Sequence, residues 1–400
     1  MSRREILFLA HRIPYPPDKG DKIRSWRLLR HLWDQYDVHL AAFVDDRADF
    51  AHEETLKACC KSVNLIALNP MIATCRSAIG FVKSEALSLS YYHDRKMRTV
   101  VDKLRKRPLA AEIVFSSTMA QYVDIQVKDR PRVIDFCDAD SEKFSEYAEG
   151  ASSLMRLVYG REGQKLAKAE NEIANWADAS FAITPSEAEY FNCRPLIEND
   201  VGWWSNGVDT DQFDAGIDLG RPQRAGDVVF TGAMDYRANV EAALEFVETT
   251  WPLVKRSAPD TSFAIVGANP VASLRALDGK DGIIVTGRVC TIQPWLRHAK
   301  LAIAPLRIGR GIQNKVLEAM AMAKPVVATH AAATGLLISP GQDILLADEP
   351  QDFASAILGL LSSESQRSQI GTAARARAIN DYQWDVQLAR FQERLDALIN

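Results

Sequence analysis

Short, almost uninterrupted apolar runs alternate with longer amphipathic ones along nearly the whole chain, and this alternation restricts the fold more than any other feature. Strands are predicted at 5–10, 38–44, 63–68, 111–115, 132–136 and 179–183. The second half repeats the habit at 227–231, 262–266, 282–286, 301–304, 325–328 and 344–346. Helical stretches lie between, as at 23–35, where Ile23, Trp26, Leu29 and Trp33 recur three or four residues apart. Strands apolar on both sides belong to parallel sheets covered by helices on both faces. The pattern predicts an α/β fold, built twice.

The 400 residues are enough chain for two cores. A break falls in the polar, Gly-, Pro- and Arg-bearing stretch 199–224. This predicts two Rossmann-like, doubly wound parallel-sheet domains, 1–203 and 204–381, facing each other across a cleft. Trp384, Leu388, Phe391, Leu395 and Leu398 have helical spacing, and the segment from about 382 to 400 is expected to cross back onto the first domain. Open sheets of this kind bind ligands beyond the C-terminal ends of their strands.

A formal net charge of −4 argues against a surface that grips nucleic acid. No window supplies the roughly 20 apolar residues a bilayer span needs. The apolar run Ile6–Ala10 is too short for an export signal and ends in His11-Arg12, so a cytoplasmic location is expected, peripheral to the inner face of a membrane. The six cysteines form no C-x-x-C pair and the seven histidines show no metal spacing. Free thiols, no metal and no cofactor are the expectation.

The stretch from Pro305 to Met322 is the most informative loop. Gly309 and Gly311 permit close backbone approach by a ligand. A helix predicted to start near Ile312 offers free amides and a positive dipole end to phosphate. Lys315 and Glu318 share one helix face, as a cation for a diphosphate and a carboxylate for ribose hydroxyls, or as a plain surface pair. Arg237 follows a second glycine turn at Gly232, and Val289 a third at Gly287. In the first half, Gly20 ends a proline-stiffened loop. Asp138 and Asp140 follow a buried strand, where Asp140 or Ser141 could instead cap the next helix.

In this order the junctions resemble the retaining, GT-B-fold glycosyltransferases of family four. The residues that carry the resemblance are Ser205-Asn206-Gly207-Val208-Asp209 with Phe213, Phe230-Thr231-Gly232, Ala264–Gly267, Thr286-Gly287-Arg288-Val289, Lys315-x-x-Glu318-Ala319-Met320-Ala321 and Pro325–Thr329 with Gly335-Leu336. The loops 14–21, 138–141 and 232–236 further resemble the sugar transferases associated with exosortase (PEP-CTERM) and exopolysaccharide gene clusters.

The resemblance implies transfer of a sugar from a nucleotide-diphosphate sugar to a saccharide acceptor, lipid-linked, in exopolysaccharide or cell-surface glycan synthesis. It implies that Glu318 holds the donor ribose, Lys315 the diphosphate with Arg237 near it, Gly20 the donor phosphates or sugar, and Val289 the base through its backbone. Two departures stand out. The family's first Glu of its Glu–seven residues–Glu motif is Arg310 here, which is expected to add a cation for the donor phosphates and leaves the backbone of Gly309, Gly311, Ile312 and Gln313 to meet the sugar. The family's histidine in the first domain is absent from Ser116–Met119, and Asp138 is the candidate for that space.

The segment 91–108 carries seven cations against two carboxylates and predicts a basic helix, solvated or resting on an anionic membrane surface. Rival readings are a GT-B sugar-nucleotide epimerase and a non-catalytic nucleotide-sugar binder in a polysaccharide assembly complex. A dinucleotide dehydrogenase does not fit, since no G-x-G-x-x-G follows the first strand.

Overall fold

Two wholly parallel sheets account for the strands described by the computed structural model, which covers residues 3–308 and 311–399. The first contains β1 (Glu5–Ala10), β2 (Asp37–Val44), β3 (Ser62–Ala67), β4 (Leu109–Phe115), β5 (Arg132–Cys137), β6 (Ala179–Ala182) and β7 (Val201–Trp203), in the order β3-β2-β1-β4-β5-β6-β7. The second contains β8 (Val228–Thr231), β9 (Phe263–Val266), β10 (Ile283–Val285), β11 (Leu301–Ala304), β12 (Val326–Ala328) and β13 (Leu345–Leu346), in the order β10-β9-β8-β11-β12-β13. Parallel neighbours need long crossovers, and the amphipathic stretches of the sequence supply them as helices.

Each sheet belongs to its own unit: Met1–Ser205 with Leu388–Asn400, and Asn206–Gln387. In the first, β1 runs between β2 and β4, with Leu9 opposite both Ala41 and Val114. Ile6 to Ala10 are wholly buried, as continuous apolar strands covered on both faces must be. The last helix, Trp384–Ile399, ends in the first unit, where Phe391 packs 5.2 Å from Phe181 and 6.1 Å from Trp204 between ring centroids.

Several local details differ from the sequence expectation. The first helix spans Gly20–Trp33 and starts three residues before the apolar period does, because polar Lys22, Arg24 and Ser25 occupy its buried side. Arg24 donates to both carboxylate oxygens of Asp135 at 3.0 Å and to the Trp204 carbonyl at 2.8 Å. Neither Asp140 nor Ser141 caps the helix Asp140–Glu149. Glu170 instead takes the Ser141 amide at 2.9 Å and the Ser141 hydroxyl at 2.5 Å.

The basic segment is divided. Its helix is Arg95–Leu104, with Met97, Val101 and Leu104 buried. Arg105 pairs with Glu112 at 2.7 Å and Arg107 with Glu5 at 2.9 Å, so these two cations are engaged by carboxylates of the first unit. No described helix is long and apolar enough to cross a membrane.

Candidate active site

The second sheet reverses its winding between β8 and β11, and the loops leaving these two strands carry the residues able to do chemistry. A crevice opens at such a reversal because the two crossovers leave in opposite directions. After β8 the chain turns at Gly232, whose amide donates to the Val266 carbonyl at 3.0 Å, while the Met234 amide reaches Ala268 at 2.8 Å. The loops after β8 and β9 therefore run side by side. A Cβ on Gly267 would lie 1.6 Å from the Gly232 carbonyl oxygen, so nothing larger than hydrogen fits there.

After β11 the chain passes Gly311, at φ +60°, and enters the helix Asn314–Ala321. The helix begins two residues later than the spacing predicts, because Gln313 is still extended at φ −81°, ψ 94°. Lys315, in the first turn, reaches the loop after β8. Its Nζ donates to the Asn239 side-chain carbonyl at 2.5 Å and lies 4.5 Å from the Phe230 ring centroid. Asn239 is held in turn, its Nδ2 donating to the Ala233 carbonyl at 2.9 Å. A Cβ on Gly232 would come within 2.7 Å of Asn239 Nδ2 and 3.3 Å of Lys315 Nζ.

Lys315 and Glu318 are half-buried and form no ion pair with each other among the described residues, which sets aside the surface-pair reading. Burial pushes the Lys315 ammonium down to about 7, with the Glu318 charge working the other way. Burial likewise pushes the Glu318 carboxyl up to about 7, opposed by Lys315. A cation beside a glycine turn and a helix N-terminus suits an anionic ligand, whose charge would restore the proton on Lys315.

Asn206 supports the same helix from the domain boundary. It is 3% exposed, its Nδ2 donates to Asn314 Oδ1 at 3.2 Å, and its Oδ1 has no partner among the described residues. In the sequence alone Asn206 has no role of its own and Asn239 is not singled out. For Asn239 a signal existed: it lies on the stripe of the helix Arg237–Glu245 that buries Ala242 and Ala243. An amide there needs partners.

The remaining candidates scatter. Arg237 opens its helix with a side chain 87% exposed, paired with Glu241 at 2.7 Å, so it does not join Lys315. Val289 lines a cavity of about 610 Å³ together with Thr286, Cys290 and Trp295. Ile312 is buried and Gln313 half-buried in the turn before the helix. Gly309 and Arg310 lie outside the described residues.

Gly20 and Asp138 belong to the first unit. Gly20 opens the first helix, and a Cβ there would meet nothing within 4 Å. Asp138 follows β5 after Cys137, at φ +65°, and sits in an acidic neighbourhood. Burial, with the charge of Asp138 added, raises Glu187 to about 8; burial also raises Asp140 to about 6. Sequence reading passed over His11, which directly follows β1. Its Nε2 lies 3.3 Å from Asp21, its ring stacks on Phe115, and its buried Nδ1 has no partner among the described residues. Among the described residues no group of three His, Cys, Asp or Glu gathers as a metal centre would.

Residues 225–363, most of the second unit, match the family described as Glycosyl transferases group 1. No curated protein matches the chain in sequence. Among solved structures, Anabaena HepE in complex with UDP superposes with a TM-score of 0.69 at 16% identity, over 98% of this chain and 100% of that one. Sucrose-phosphate synthase from Thermosynechococcus elongatus gives 0.70 at 16%, over 99% and 100%. A glycosyltransferase from Rickettsia africae gives 0.66 at 12%, over the whole of both chains. Residues 225–363 thus carry a glycosyl transferases group 1 domain, and the chain has the GT-B fold of these structures.

Proposed function

We propose that the enzyme moves a sugar, with retention at the anomeric carbon, from a nucleoside diphosphate sugar to a lipid-linked saccharide acceptor in exopolysaccharide or cell-surface glycan assembly. The observation that carries this reading is Lys315, held by Asn239 against the Gly232 turn at the point where the second sheet reverses. HepE has been solved with UDP and with UDP-glucose, which makes UDP-sugars the first donors to test.

In the proposed reaction the acceptor hydroxyl attacks the anomeric carbon on the face the diphosphate leaves. The sugar–phosphate bond breaks as the new glycosidic bond forms, and the departing phosphate oxygen takes the hydroxyl proton. No protein nucleophile is needed. Lys315 and the amides at the start of its helix stabilise the charge that gathers on the diphosphate. Glu318 accepts from the ribose hydroxyls, the Val289 backbone meets the base, and the Gly311–Gln313 backbone meets the sugar. This assignment asks for no metal, so turnover is expected to persist in excess chelator.

The test is nucleotide release from a panel of nucleotide sugars, with and without saccharide acceptors. Release by the wild type that falls at least about tenfold in Lys315→Ala supports the reading, since a charge-assisted hydrogen bond is worth roughly 1.5–3 kcal/mol. Tight donor binding with no turnover would make the protein a nucleotide-sugar-binding component instead.

A further inference from the structure

The helix Pro70–Val82 of the first unit packs back to front. Its buried residues are Ala73 and Gly80, and a Cβ on Gly80 would overlap the Ser90 side chain, so only a small residue lets this side close on the helix Leu87–Tyr91. The large apolar side chains point outward, with Met71 77%, Ile72 56%, Ile79 57%, Phe81 46% and Val82 85% exposed. A helix in water ordinarily does the reverse.

The apolar surface continues onto the start of the helix Ser153–Trp176. The Arg161 guanidinium lies 4.5 Å from the Phe81 ring centroid, and its Nη2 donates to the Phe81 carbonyl at 3.1 Å. Leu154 and Leu157, each 73% exposed, precede Arg161 by two turns and one turn and share its side of the helix. Two helices thus present one apolar patch joined at Phe81 and Arg161.

Cations border the patch. Beside Ile79 a surface cavity of about 810 Å³ is lined by Arg76, Lys83, Arg95 and Lys96, against the carboxylates Glu85 and Asp94. Arg76 is paired with Asp94 at 3.2 Å. Lys83, Arg95 and Lys96 are exposed and make no ion pair among the described residues.

We infer that this face of the first unit docks on a membrane carrying anionic lipid, its apolar side chains entering the interface and Lys83, Arg95 and Lys96 meeting the headgroup phosphates. Exposed apolar groups flanked by unpaired cations complement such a surface in both respects. A second copy fits less well, because pairing the patch with itself would bring like charges together. Of the basic segment 91–108, only its first turn contributes. The inference rests on the proposed transferase reading for its purpose, delivery to a lipid-linked acceptor, whereas docking itself is measured without any sugar donor.

The test is co-sedimentation of the full chain with vesicles of phosphatidylcholine, alone or mixed with phosphatidylglycerol. The wild type is expected to bind the mixed vesicles at least about tenfold more tightly than the neutral ones, because each cation near an anionic surface strengthens binding about fivefold. High salt should remove most of that difference. Ile72→Asp combined with Val82→Asp, and separately Lys83→Glu combined with Lys96→Glu, should each weaken binding at least tenfold. All four sites are exposed, so an unchanged Tm and unchanged nucleotide release show that fold and donor site persist. Wild type that stays in the supernatant overturns the inference. So do variants that bind like wild type, equal salt-insensitive binding to both vesicle types, or a dimer that Val82→Asp dissolves in a chain that ignores vesicles. Vesicle binding in a chain that turns over no nucleotide sugar would leave docking in place and defeat the transferase reading alone.

Discussion

The Lys315 ammonium donates to the side-chain carbonyl of Asn239 at 2.5 Å and so ties the helix after β11 to the helix after β8. These elements flank the reversal point of the second sheet, and the bond fixes the cation between them, beside Gly232. Removing either partner tests the site differently. Lys315→Ala and Glu318→Gln should each lower kcat/KM at least about tenfold with the fold intact. Asn239→Ala should cost less, roughly 0.5–1.5 kcal/mol, because it loosens the cation without deleting it. Nucleotide release from UDP-glucose reads all three, and near-wild-type turnover in Lys315→Ala would reject the assignment.

Burial has drawn Lys315 down to about 7, so near pH 8 most of the free enzyme carries it as the neutral amine. A bound diphosphate favours the ammonium and raises that pKa, so binding must take up a proton above pH 7. Calorimetry of UDP binding at pH 8, in buffers of differing ionisation enthalpy, should show this uptake in the wild type and not in Lys315→Met. Proton release on binding would have the wrong sign for the proposed contact.

Arg237 was expected beside the diphosphate, yet it stands in solvent against Glu241. An exposed i,i+4 pair of this kind contributes little and does not touch Lys315. Arg237→Ala should therefore leave kcat/KM within about twofold of wild type. A loss comparable to that of Lys315→Ala would restore it as a donor contact.

Gly267→Ala would place a methyl group on the Gly232 carbonyl, at 1.6 Å without relaxation. The two loops must separate, at a cost of about 1–3 kcal/mol typical of overpacking. A lower denaturation midpoint together with weaker UDP binding is the expected result. A variant that binds UDP like wild type would show that the loop spacing does not matter to the site.

In the first unit Arg24 and Asp135 are both fully buried, with the Arg24 guanidinium 3.4 Å from the Trp204 ring centroid. Deleting one member leaves an uncompensated charge, which costs about 3–5 kcal/mol. Arg24→Leu should lower stability by that much in urea denaturation. Adding Asp135→Asn should recover part of it, since the orphaned carboxylate is gone.

The α/β class, the parallel sheets and most strand positions were legible in the sequence, because a strand buried on both faces must be apolar throughout and its crossover helix must be amphipathic. Boundaries were less legible where polar residues face inward. Lys22, Arg24 and Ser25 hid the start of the first helix, and Glu170, 29 residues away, took the capping role expected of Asp140 or Ser141. Asn239 escaped assignment for a similar reason, since its partner Lys315 is 76 residues further on.

By itself the sequence determined the periodicities, the glycine turns and the residue types at the strand ends, all of them local properties of neighbouring residues. Only the tertiary structure decided which turns meet. Strand order brings Gly232, Asn239 and Lys315 together and leaves Arg237 in solvent. Tertiary packing also turned the small side of the helix Pro70–Val82 inward, where Gly80 meets Ser90, and so left its large apolar side in water. Contacts between distant segments depend on how the sheet is wound and on what fits at each crossing, and no short window of sequence contains either.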